Sequence, residues 1–80
     1  MYKYYVEISL RVGQVSLLET VLTHSVKNSG EIEANRVHKG ATTAEFKFNS
    51  SVDAGNFISS LLNLGIDIET AFRDKDEDDT

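Results

Sequence analysis

The 80-residue chain has no cysteine, so no disulfide can staple it. Nor is there a His, Asp or Glu cluster at metal-ligand spacing to take a disulfide's place, and no cofactor or metal is expected. A domain this short buries a modest fraction of its surface and has a thin stability margin. Its core must suffice, or a second subunit must help. No apolar run approaches the ~18 residues that a membrane span requires, so no membrane partner is expected. Met1 to Lys3 lead straight into a strand pattern, with no basic and then apolar leader, so no secretory signal is expected. The missing cysteines fit a reducing compartment, and a cytoplasmic location is the expectation. Positive charge is also scarce: the net charge is −5. Arg73 and Lys75 stand against Asp74, Asp76, Glu77, Asp78 and Asp79, so residues 73–80 carry −3 and residues 1–72 carry −2. An acidic body with a more acidic tail repels phosphate backbones, and nucleic acid is not expected as a partner.

What is present is a strong period-two pattern. Tyr4, Val6, Ile8, Leu10 and Val12 are apolar, with Tyr5, Glu7, Ser9 and Arg11 between them. This predicts a first strand from Tyr4 to Val12 with one buried face. Gly13-Gln14 breaks it, and Ser16-Leu17-Leu18-Glu19 has the form of a capping box. Leu18, Leu22 and Val26, flanked by Leu17 and Val21, form an apolar stripe on a helix predicted from Leu17 to Ser29. Gly30 is then the candidate left-handed residue after the helix. Over Glu31 to His38, Ile32, Ala34 and Val37 hold no single parity, which predicts a weaker edge strand with a bulge. Its charged residues would blunt that edge.

Lys39-Gly40 supplies a tight hairpin turn. Thr42, Ala44, Phe46 and Phe48 line the next strand, with Thr43, Glu45 and Lys47 on its other face. A second helix opens near Asn49-Ser50-Ser51, points Ala54, Phe57, Ile58, Leu61 and Leu62 inward, and closes at Gly65. Ile66, Ile68, Thr70 and Phe72 alternate along a fourth strand. The order β-α-β-β-α-β resembles the ferredoxin-like domains, α+β sandwiches with a four-stranded antiparallel sheet in the order 4-1-3-2. Right-handed crossovers put both helices on one face. Residues 1–72 are expected to form this single domain, and residues 73–80 a disordered acidic tail.

The uncovered face would carry Tyr5, Glu7, Ser9 and Arg11, then Thr43, Glu45 and Lys47, then Asp67, Glu69 and Arg73. Of these, Tyr5, Glu7, Arg11, Glu45, Lys47 and Glu69 are the candidate interaction residues. RNA-recognition domains of the same topology stack bases on central-strand aromatics. Here Phe46 and Phe48 share the buried parity, and only Tyr5 is outside. His24 and His38 lack a second ligand at metal spacing, and the pairs Glu31/Glu33 and Asp67/Glu69 lie on opposite edge strands. No catalytic set converges, so an enzyme is not expected.

Two family resemblances involve the first loop. Arg11-Val12-Gly13-Gln14-Val15 resembles the phosphate-binding loop of acylphosphatases, but Ser16-Leu17-Leu18-Glu19 follow where that family has its arginine. Without the group that holds the acyl phosphate, the activity is not expected. Gly13 before a leucine-rich helix, then Ser29-Gly30-Glu31-Ile32, resembles ACT-type regulatory domains over about residues 6–37. Arg11-Val12 stand where that family often has an acidic residue and proline. The resemblance implies a dimer binding a small effector near Gly13, Gln14 and Val15. The main expectation is a small, acidic, non-enzymatic interaction or regulatory domain, of the accessory kind that phages encode. Its partner is a second copy or another protein.

Overall fold

The computed structural model describes the backbone of residues 4–73 and the side chains of residues 4–69. The elements are β1 (Tyr4–Leu10), a 3₁₀ segment (Val12–Leu17), α1 (Leu18–Lys27), β2 (Glu31–His38), β3 (Ala41–Phe48), α2 (Ser51–Asn63) and β4 (Asp67–Arg73). The sheet order is β2-β3-β1-β4, with every neighbouring pair antiparallel. This is the ferredoxin-like α+β arrangement that the element order predicts. Residues 74–80, most of the predicted acidic tail, lie outside the described residues.

The two central strands follow their alternation closely. Register pairs Val6↔Phe46, Ile8↔Ala44 and Leu10↔Thr42 set the inward residues side by side. All six are buried. Phe57 of α2 sits over them, with ring centroids 5.0 Å from Phe46 and 4.9 Å from Phe48. Tilted rings at such spacings add to the burial of a large apolar side chain, itself worth about 1.5–3 kcal/mol. Val21, Ala54, Leu61 and Ile66 complete the core.

The first strand ends two residues earlier than its pattern predicts. At Arg11 the chain turns into the 3₁₀ segment, where the Gln14 N–H donates to the Arg11 carbonyl at 2.8 Å. The Gln14 side-chain oxygen accepts from the Arg11 N–H at 3.1 Å. Val12 therefore lies outside the sheet, 67 % exposed. The same segment displaces the predicted cap at Ser16. Leu17 holds the N-cap position of α1 without a side-chain cap, because the chain enters the helix already wound and the Leu18 N–H donates to Val15 O. The cap on α2 forms as expected, with Ser50 Oγ accepting from the Asp53 N–H at 3.1 Å.

Each helix stripe is narrower than expected. Val21 and Ser25 are the buried residues of α1, with Leu17, Leu18 and Leu22 packed against the core, while Val26 is exposed. At about 100° per residue, Val26 lies roughly 140° around the helix from Val21. Leu62 stands at the same offset from Phe57 and is exposed likewise.

Gly30 corrects another expectation. Ser29, with φ 60°, takes the left-handed position after α1, and Gly30 follows it. The Ser29 N–H donates to Val26 O at 3.0 Å and the Gly30 N–H to Ser25 O at 2.8 Å, closing a Schellman turn. Glycine stands at position 30 because an added Cβ would run into the Phe48 ring. Gly65, in contrast, does take the left-handed region after α2, at φ 75°. Lys39 (φ 52°) and Gly40 (φ 83°) form the two-residue hairpin turn with both φ positive, the type I′ geometry that matches strand twist.

Both edge strands slip register. On β2, Ile32 pairs with Phe46 and Ala34 with Glu45, leaving Glu33 as the extra residue of a bulge. On β4, Ile68 pairs with Ile8, Thr70 with Glu7 and Arg73 with Tyr5, so register shifts twice.

Candidate functional site

With both helices on one face, the other presents three rows of side chains. Register pairs place Lys47 between Tyr5 and Glu31, Glu45 between Glu7 and Ala34, and Thr43 between Ser9 and Arg36. The β1 and β3 members of all three rows are half-buried. The middle row sets Glu7 directly opposite Glu45. Like charges directly opposite on neighbouring strands destabilise a sheet.

The row above holds a cation beside two carboxylates. Lys47 Nζ lies 3.0 Å from Glu33 Oε2 and 3.8 Å from Glu31 Oε2. Glu31 and Glu33 stand two residues apart, so both side chains leave the strand on one side and reach the same amine. The hydrogen bond to Glu33 raises the Lys47 pKa above its ordinary value of 10.5. Partial desolvation opposes the rise, and the charges of Glu33, Glu31 and Tyr5 add to it.

The candidate residues separate into three places. Tyr5, Glu7, Glu45 and Lys47 come together on the central strands. Arg11 falls beyond the end of β1, where Nη2 pairs with Asp67 Oδ2 at 3.1 Å and Nε with the same oxygen at 3.3 Å. It ties the first loop to the start of β4 and is not part of the sheet face. Glu69 sits on β4 where the register shifts and is exposed.

Gly13, Gln14 and Val15 all lie in the 3₁₀ segment. Gln14 already uses both ends of its amide, accepting from Arg11 and donating to Gly65 O at 3.0 Å. An effector at this loop would have to displace that clamp. Sequence reasoning missed the Lys47 contacts and the Arg11–Asp67 pair. The available signal for the first was the i, i+2 spacing of Glu31 and Glu33, which sets both carboxylates on one side of the strand. The second joins residues 56 positions apart and left no local signal.

His24 is half-buried, and its carbonyl accepts from Asn28 Nδ2 at 2.8 Å; His38 is exposed beside the hairpin turn. Phe46 and Phe48 are fully buried, leaving Tyr5 as the aromatic of the helix-free face among residues with described side chains. Among the described residues no three His, Asp or Glu side chains gather as metal ligands would. No helix among them is long and apolar enough to cross a membrane. Comparison with protein-family models, with curated proteins and with solved structures found no match.

Proposed function

We propose that this chain is a non-enzymatic protein–protein interaction domain that docks a basic partner on its helix-free sheet face. The observation that carries this reading is Glu7 standing opposite Glu45 in the middle row of that face. A Lys or Arg placed between the two carboxylates would be attracted by both. Lys47 and Tyr5 flank the pair on one side and Thr43 and Ser9 on the other, giving the acidic centre a polar rim.

A titration with an arginine- and lysine-rich peptide, followed by backbone amide chemical shifts, tests this. The expected result is shifts concentrated on Tyr5, Glu7, Thr43 and Glu45, weakened by salt and abolished by Glu7→Lys. Shifts confined to residues 74–80, or none, would overturn it. Stabilisation by free amino acids in a thermal-shift screen, lost on Gln14→Ala, would replace it with the effector-binding reading.

A further inference from the structure

Strand β2 is an edge of the sheet. All eight of its residues are exposed, and among the described residues β3 is its one neighbour in the sheet. Its charges are segregated by sign: Glu31 and Glu33 in the first half, Arg36 in the second. Faces follow from the register with β3. Ile32, Asn35 and Val37 pair with Phe46, Ala44 and Thr42 and share the helix side. Glu31, Ala34, Arg36 and His38 pair with Lys47, Glu45, Thr43 and Ala41 and share the helix-free side. Glu33 reaches Lys47 from that side as well.

We infer that two copies of this chain join through β2 in an antiparallel pair with Asn35 opposite Asn35 of the second copy. With the two-fold axis there, Ala34 faces Arg36 across the new pair. Beyond each bulge the count shifts by one, so Ile32 meets Val37 and Glu31 meets His38, with Glu33 beside Arg36. Every one of these pairs shares a face, and Glu33 and Arg36 are of opposite sign. The bulge makes this possible: in a regular strand Ile32 and Val37, five residues apart, would fall on opposite faces.

The apolar pair lies on the helix side, at positions the helices leave bare; Val37 is 73 % exposed. The segregated charge repels a parallel copy, which would set Glu against Glu and Arg against Arg. The other edge suits pairing less well, because β4 shifts register twice over its seven residues. The result is a continuous eight-stranded sheet, an assembly that does not rest on the reading of the helix-free face.

The chain has no cysteine, so single cysteines report geometry without background. Opposed residues on antiparallel strands sit about 4.5–5.5 Å apart between Cα atoms, within disulfide reach. Sedimentation equilibrium should show a monomer–dimer equilibrium, and Asn35→Cys should cross-link under mild oxidation. A mixture of Ile32→Cys and Val37→Cys should cross-link far more than either alone. Arg36→Glu should raise the dimer Kd about tenfold or more, since two like-charge contacts replace two favourable ones. Circular dichroism of each reduced variant checks that the monomer is folded. A monomer at every concentration would overturn the inference. So would a dimer in which Glu7→Cys cross-links faster than Asn35→Cys, which places the contact on the sheet face. Equal cross-linking of Asn35→Cys and the distant Leu62→Cys would also overturn it.

Discussion

Strands β2 and β3 have the same length, share a hairpin and run side by side, yet they are buried in opposite ways. Every second residue of β3 is buried, and no residue of β2 is. Hydrophobicity does not account for this, since Ile32 and Val37 are as apolar as the buried Ala44 and more apolar than the buried Thr42. The difference is cover. Phe57 of α2 packs on Phe46 and Phe48 of β3, whereas no residue of β2 joins the buried core. The same segment type thus serves as a core wall in one position and as a surface in the next.

The comparison breaks most sharply at Phe57. Phe57→Ala removes the ring packed on both Phe46 and Phe48 and should cost about 3–5 kcal/mol in urea unfolding. Val37→Ala on the exposed strand should fall within about 0.5 kcal/mol in dilute solution. Equal losses would mean that β2 is covered after all.

A second test uses two glycines. Gly30→Ala drives a methyl into the Phe48 ring and should cost about 1–3 kcal/mol. Gly13→Ala, with open space around it, should be neutral or stabilise by up to about 1 kcal/mol. A neutral Gly30→Ala would show that Phe48 moves aside easily and that the core under β3 is loosely packed.

The smallest effect belongs to the Lys47 contacts at the boundary of the two strands. Glu33→Gln should lower the unfolding midpoint slightly at neutral pH. The lysine pKa is raised in the folded chain, so this stabilisation is fully present below about pH 10.5 and is lost as the pH rises through the raised value. Wild type and variant should therefore converge at strongly alkaline pH and in high salt. A difference that persists there would assign the effect to the backbone bulge.

Much of this was legible beforehand, for a local reason in each case. Period-two alternation located β1 and β3 and their inward residues, because side chains on a strand alternate faces regardless of what lies beyond. Ser50 and Gly65 marked the ends of α2 through hydrogen bonds within a few residues. Ser16 misled because its cap competes with a 3₁₀ turn anchored by Gln14 to Gly65, 51 positions away. Gly30 was identified as special but for another reason, since its constraint is the Phe48 ring. On the helix-free face the central residues Tyr5, Glu7, Glu45 and Lys47 followed from parity, while Arg11 left it with the early end of β1.

By itself, then, the order and periodicity of the chain determined the ferredoxin-like topology, the central strand pair and the face each central residue would show. Those properties depend on short-range backbone geometry and on which residues prefer to leave water. Tertiary structure alone decided where each apolar stripe stopped being covered, where the edge registers slipped, and which carboxylates met Lys47. These depend on the reach of a neighbouring helix or strand, a distance that no local window of sequence contains.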